Sequence, residues 1–208
     1  MAATRRTQTE RREATIAALV VAAAESLAEL GYARTSTIEI ARRAGVSQGG
    51  LFRHFESRLD LILAAADEVR SRQFDDFRLG LAALDEFSVS ACLTLLRRAT
   101  RAPMNAAWYE LLVAARTDAD LRQRLTPLAE RYHREIIEIG HALPIAESMP
   151  SDELDTMILG VVHMLDGEAI TSVVLAHPEH EDLRLEQLVR ILAGQRLFDS
   201  ESAESAHR

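Results

Sequence analysis

The sequence predicts an all-α protein, and three observations carry that prediction. Apolar residues recur at spacings of three and four along almost the whole chain, the period of a helix with one buried face. No stretch shows the strict alternation of a half-buried strand, and no segment repeats at a fixed interval. Capping serines and breaking glycines or prolines punctuate the runs, at Ser36, Gly45, Ser47, Ser57, Pro144 and Pro178.

In order, residues 1–8 carry Arg5 and Arg6, with Arg11 and Arg12 following. This is either a disordered basic arm that touches phosphates or the minor groove, or a solvated tail. The first helix runs from Thr9 to Leu30, with Ile16, Leu19, Val20, Ala23, Leu27 and Leu30 on one face, and Gly31 ends it. Ser36 and Glu39 form a capping-box pattern, a hydroxyl on the first-turn amide and a carboxylate reaching back. Ile38, Ile40 and Ala41 supply the apolar face of that second helix, which stops at Gly45, where only glycine enters the left-handed region cheaply. Ser47 caps a third helix over Gln48–Phe55, with Leu51 and Phe55 on one side. Ser57 and Asp60 repeat the Ser-x-x-acid signature and open a fourth helix, with Leu61, Ile62, Ala65, Ala66 and Val69 inward, that reaches about Arg78 and is stiff enough to transmit a tilt.

Five further helices are expected near Asp85–Thr100, Pro103–Thr117, Asp118–Leu143, Ser151–His177 and Glu181–Phe198. Pro103 suits a first turn, whereas Pro127 inside a helical pattern is expected to kink or break it. Residues 199–208 read as a disordered polar tail.

The chain has 208 residues, about half apolar, with a single cysteine, Cys92, so no internal disulfide is possible and a cytoplasmic, reducing setting is expected. The longest apolar run, Ile16 to Ala24, is too short to span a bilayer, so no membrane segment is expected, and the arginine-rich start lacks a signal-like apolar core. Net charge is −8, but it is divided unevenly. Residues 1–58 hold nine arginines against six acids, and residues 59–208 hold fifteen against twenty-six. Screening confines phosphate attraction to about 8 Å at physiological salt, so an acidic body does not prevent a basic module from meeting DNA.

Two helices joined by Gly45-Val46-Ser47 make the helix-turn-helix pattern, whose second helix enters the major groove. There Gln48 can present a bidentate amide to adenine, and Arg53 or His54 can reach guanine or phosphate. Gly49 and Gly50 cost about 1 kcal/mol each against alanine, which close approach to DNA, or a helix formed only on binding, would justify; a loose loop is the alternative. Thr37 and Arg58 open their helices where a phosphate contact fits, and Arg42 and Arg43 are either phosphate contacts or solvated surface.

The alanine-rich first helix, the Gly31-Tyr32 turn, the block from Thr37 to Phe55 and the Ser57-Arg58 opening together resemble the DNA-binding domain of the TetR family of transcriptional regulators, over residues 10 to 70. The resemblance implies DNA contacts at Thr37, Gln48, Gly50, Phe52, His54 and Arg58. Phe52 stands where a tyrosine is usual and Arg58 where a lysine is usual. The expected division is a helix-turn-helix domain over 9–56 and a helical ligand-binding and dimerisation domain over 57–198.

Family resemblance further implies an effector cavity among the later helices. Its candidate lining is Phe87, Met104, Trp108, Tyr109, Leu112 and His163, with Trp108, Tyr109 and His163 offering polar handles. Ordinary core packing is the competing reading for each. Gly160, Gly167, Ala169 and Ser172 allow close helix approach, and Leu183, Leu185, Leu188, Val189, Ile191 and Leu192 make a wide apolar face, either monomer core or a homodimer interface. The resemblance implies a four-helix interface between two subunits. The resulting expectation is a ligand-responsive regulator, most simply a repressor of a double-stranded palindromic operator released by a small-molecule effector; an activator or co-repressed regulator is the alternative.

An enzyme is the competing class. Glu130…His133 and Glu138…His141 are both Glu-x-x-His, the spacing of carboxylate-bridged di-iron bundles. Both fall on one predicted helix, so they cannot enclose one metal pair within a subunit. No Gly-x-Ser-x-Gly turn is present. No catalytic residue, metal or cofactor is expected.

Overall fold

The computed structural model describes residues 7–148 and 150–192. The arm expected over residues 1–8, apart from Thr7 and Gln8, lies outside the described residues, as do 193–198 of the last expected helix and the tail 199–208. The described residues form nine α-helices and one short 3-10 segment, with no strand.

Helix α1 spans Gln8–Leu30 and carries the reciprocal cap that the sequence pattern suggested for α2. Thr7 Oγ1 accepts the Glu10 N–H at 3.2 Å, and the Glu10 carboxylate accepts the Thr7 N–H at 2.7 Å. Helix α2 spans Thr37–Arg43 and has only half of its expected box: Ser36 Oγ accepts the Glu39 N–H at 3.2 Å, but the Glu39 carboxylate is taken by Arg42 and Arg43. Gly31 (φ 76°) and Gly45 (φ 68°) end α1 and α2 in the left-handed half of the map. Gly31 is doubly required, because a Cβ there would stand 2.7 Å from a Glu110 carboxylate oxygen.

Helix α3 is shorter than expected: one turn, Gln48–Leu51, rather than eight residues. Ser47 Oγ caps it by accepting the Gly50 N–H at 3.0 Å. Two glycines in a four-residue helix leave little propensity to continue, and the chain goes on through tighter turns, Arg53 N–H to Gly50 O and His54 N–H to Leu51 O. Ser57 opens α4, Arg58–Ala82, accepting the Asp60 N–H at 3.1 Å.

Helix α5, Val89–Thr100, begins four residues later than expected because Ser88 Oγ accepts the Ala91 N–H. Helix α6 spans Asn105–Ala114, and α7 spans Ala119–His141 with Asp118 accepting the Leu121 N–H at its start. Pro127 does not break α7. The carbonyl it leaves unpaired belongs to exposed Gln123, open to water, while Leu121, Leu125, Leu128, Tyr132 and Ile136 bury the opposite face. Helix α8, Ser151–Thr171, stops six residues short of expectation, and α9, Pro178–Leu192, starts three residues early with proline in its first position.

These elements sort into two compact units. The first holds the chain up to Asp76 with Arg101–Arg134; the second holds Phe77–Thr100 and the chain from Glu135 onward. A division at 56–57 follows the motif, whereas this grouping follows packing: in the first unit α1 packs on both α2 and α6. Leu19, Leu27, Ile40, Leu51, Leu61, Ile62, Leu111 and Leu121 are fully enclosed there. Each such side chain contributes about 1.5–3 kcal/mol by leaving water. In the second unit Leu93, Val161 and Leu165 form a core against which Leu185, Leu188, Val189 and Leu192 of α9 pack.

Candidate nucleic-acid interface

The short helix α3 and the first turn of α2 meet through one side-chain hydrogen bond. Gln48 Nε2 donates to Thr37 Oγ1 at 3.1 Å. Both residues belong to the expected DNA-contacting set, eleven positions apart, and the fold brings them together. One amide N–H is thereby used, and the second N–H and the carbonyl remain, the donor–acceptor pair that matches an adenine edge. The Thr37 hydroxyl accepts in this bond and keeps its own proton to donate.

Around this pair the surface is open. Gly49 is exposed, and a Cβ there would meet nothing within 4 Å. Phe52, one turn beyond Gln48, is 48 % exposed, and Arg53 beside it is exposed with no ion pair among the described residues. His54 is half-buried, and its Nδ1 is enclosed with no hydrogen-bond partner among the described residues. Ile38, expected to face inward, is instead 67 % exposed. The inward face of α2 is made by Ile40 and Ala41, and a residue two positions away on a helix lies on the opposite side.

Three arginines of the expected set are engaged within the protein to very different degrees. Arg43 bridges α1 and α2, bonded to Glu29 at 2.8 Å and to Glu39 at 2.7 Å, and its side chain is 17 % exposed. Arg42 pairs with Glu39 at 2.7 Å but stays 68 % exposed. Hydrogen bonds from Arg42 and Arg43 hold the Glu39 carboxyl down at about 2.

Arg58 turns inward. Its Nε donates to the Thr35 carbonyl at 2.5 Å, its terminal nitrogen donates to the Tyr32 carbonyl, and the guanidinium lies 4.4 Å over the Tyr32 ring. The expected phosphate contact at this position therefore meets a competing role, bracing the turn between α1 and α2. Tyr32 extends the brace: its N–H donates to Glu110 at 3.3 Å and its hydroxyl donates to Asp118 at 3.0 Å. The Asp118 carboxyl is held low by the Leu121 N–H and the Tyr32 hydroxyl, while burial, then the Asp118 carboxylate, push the Tyr32 phenol up. The sequence marks Tyr32 only as part of a turn; its partners lie 78 and 86 positions away, and no local pattern announces them.

The candidate effector residues are divided between the units, with Met104, Trp108, Tyr109 and Leu112 in the first and Phe87 and His163 in the second. Trp108 is 4 % exposed and packs its ring 5.0 Å from that of Tyr132, which in turn sits 5.3 Å from Phe74. No local pattern in the sequence marks Tyr132 as the partner of Trp108. Tyr109 is half-buried, its hydroxyl accepting from Asn105 at 2.9 Å. Met104 and Phe87 are half-buried as well, and Leu112 and His163 are exposed.

Of the candidate dimer residues, Gly160 and Gly167 are exposed on α8, with open space where a Cβ would stand. Ser172 is half-buried, its hydroxyl donating to the Ala169 carbonyl. Leu185, Leu188 and Leu192 face their own core, leaving Leu183 and Ile191 as the exposed apolar residues of α9. Both Glu-x-x-His pairs lie on α7, and His141 Nε2 is 2.6 Å from Asp155. No helix of the described residues is long and apolar enough to cross a membrane.

The chain is similar to known transcriptional regulators in sequence and in fold. The family model described as bacterial regulatory proteins, tetR family, matches residues 19–65. The uncharacterized HTH-type transcriptional regulator Rv2912c of Mycobacterium tuberculosis is 42% identical over 189 residues, covering 90% of this chain and 97% of that protein. Among solved structures, a TetR transcriptional regulator from Chloroflexus aurantiacus superposes with a TM-score of 0.67 at 23% identity, over 89% of this chain and 97% of that one. A transcriptional regulator from Rhodococcus sp. does so with a TM-score of 0.64 at 19% identity, over 86% and 94%.

Proposed function

The chain belongs to the TetR family of helix-turn-helix transcriptional regulators, and from that premise we propose that it is a ligand-responsive repressor that binds a palindromic operator as a homodimer and is released by a small-molecule effector. The observation that carries the DNA-reading part is the Gln48–Thr37 hydrogen bond on an exposed, one-turn helix. It holds the amide in one orientation before DNA arrives, so less side-chain entropy is lost on binding.

In this reading Gln48 reads adenine, and Thr37, Arg42, Arg53 and His54 (through Nε2) meet phosphate or guanine. Gly50 lets the backbone come close, and Phe52 packs against the groove wall. Arg43 and Arg58 act behind the surface as braces. Two subunits double a short reader, and their α3 helices must then lie about one DNA turn apart, ~34–36 Å or a small multiple. An effector releases the DNA if it binds better to a dimer with another spacing, its differential affinity setting the shift. The link from Tyr32 to Glu110 and Asp118 supports a mechanical connection from α6 and the start of α7 to the turn before α2.

Selection from random duplexes tests the reading. The expected result is an inverted repeat, bound with an affinity that falls steeply as salt rises. Thr37→Val, which removes the acceptor that orients Gln48, is expected to relax the adenine preference at one position per half-site while leaving the fold intact. Failure to enrich any sequence sinks the regulator reading.

A further inference from the structure

Ile38 stands out on the face described above. It is 67 % exposed on a seven-residue helix whose other isoleucine, Ile40, is completely buried. Its neighbour Thr37 holds the Gln48 amide at 3.1 Å, so Ile38 sits beside the hydrogen-bonded centre of the reading surface. Phe52, 48 % exposed, follows Gln48 by one turn. Between them Gly49 and Gly50 present no side chain. The two elements thus supply a hydrogen-bonded polar pair, two glycines without side chains, and two exposed apolar residues, one on α2 and one directly after α3.

A single exposed apolar residue on a protein surface needs no explanation. Two of them on the elements that hold an oriented amide, one next in sequence to the residue that orients it, have a chemical counterpart. In the major groove the apolar feature is the 5-methyl group of thymine, and an adenine read by an amide is paired with a thymine whose methyl projects into the same groove.

Resting on the repressor reading above, we propose that Ile38 is a specificity-determining residue that packs on a thymine methyl, in the base pair read by Gln48 or the one next to it. Gln48 then chooses the purine by hydrogen bonding, and Ile38 chooses its neighbour by shape and apolar contact. A position without a hydrogen-bonding group of its own thereby contributes to base choice.

The test uses the full chain and the duplex enriched by selection. Each thymine is replaced in turn by deoxyuridine, which lacks only the methyl, and binding is measured for the wild-type protein and Ile38→Ala. At one thymine in each half-site, loss of the methyl is expected to weaken the wild-type protein about fourfold, the worth of one buried methyl-sized group. The same replacement is expected to leave Ile38→Ala unchanged. Because Ile38 is exposed, the variant is expected to melt at the wild-type temperature, and this is checked alongside. If Ile38→Ala weakens thymine and uracil duplexes equally, the side chain touches the backbone and the proposal is overturned. It is also overturned if the variant keeps the wild-type methyl dependence. If no duplex is enriched at all, the repressor reading fails and this proposal fails with it, a result distinct from an enriched operator without methyl dependence at Ile38.

Discussion

Arg58 directs its guanidinium at the carbonyls of Thr35 and Tyr32 and over the Tyr32 ring. Charge-assisted hydrogen bonds of this kind are worth about 1.5–3 kcal/mol each when a partner is left unpaired. Arg58→Ala is therefore expected to lower the unfolding free energy by roughly 2–4 kcal/mol, read by denaturant titration. An unchanged stability combined with weaker DNA binding would return Arg58 to the phosphate role that family resemblance implies. Glu39 supplies a second expectation. Its carboxyl, held at about 2 by Arg42 and Arg43, lies below the ordinary carboxylate value of 4.5. A depressed carboxyl contributes stability that is present above its unfolded value and lost as pH falls through its folded value. The wild-type melting temperature is expected to fall between about pH 4.5 and pH 2, and to fall less in Glu39→Gln. Identical acid profiles would show that the pairing is mere surface decoration. Residue identity alone does not reveal either role, because an arginine at a helix start and a Ser-x-x-Glu cap carry the same letters whichever partner the side chain finds.

At the scale of elements, helix starts were largely legible. Ser36, Ser47 and Ser57 cap α2, α3 and α4 because a hydroxyl on the first-turn amide is a local interaction. The start of α5 and the end of α8 were less so, since Ser88 competes with earlier residues for the first position of α5 and α8 stops before a loop rich in apolar side chains, Val173, Val174 and Leu175. Least legible was the charged joint that ties α5, α8 and α9. Arg97 meets Glu168 and Glu181 at 3.2 Å each and Asp182 at 2.7 Å, and Arg184 meets Glu168 at 2.5 Å. The Glu168 and Glu181 side chains are only 4% and 7% exposed, so removing the guanidinium takes a shared cation from two buried carboxylates, leaving Glu168 to Arg184 and Glu181 to the His177 N–H. Arg97→Ala is expected to cost about 3–5 kcal/mol, measured by urea unfolding; a loss below about 1 kcal/mol would mean water replaces the arginine as it does at a surface pair.

At the scale of the whole molecule, the proposed homodimer rests on what α8 and α9 leave uncovered. Gly160 and Gly167 are open, and Ile170, Leu183 and Ile191 are 48%, 53% and 46% exposed, whereas Leu185, Leu188 and Leu192 serve the subunit's own core. The two sets give opposite expectations. Leu183→Glu with Ile191→Glu is expected to yield a folded monomer in sedimentation or light scattering, and Leu188→Ala, at a half-buried position, is expected to lower stability by about 1–2 kcal/mol whatever the oligomeric state. A double variant that stays dimeric would move the interface off this face.

The sequence by itself determined the all-α class, the helix-turn-helix block and the basic character of the segment that holds it. Those properties depend on period, capping and charge, which act between residues a few positions apart. Only the tertiary structure decided which way side chains turn: Ile38 outward although its pattern reads inward, Arg58 and Arg43 inward although their charge reads outward, and Gln48 onto Thr37. For Arg43, Arg58 and Gln48 the choice is made by a partner on another helix or another turn, and for Ile38 by the burial of Ile40 and Ala41 on the opposite side of α2, so packing and hydrogen-bond geometry replace sequence distance.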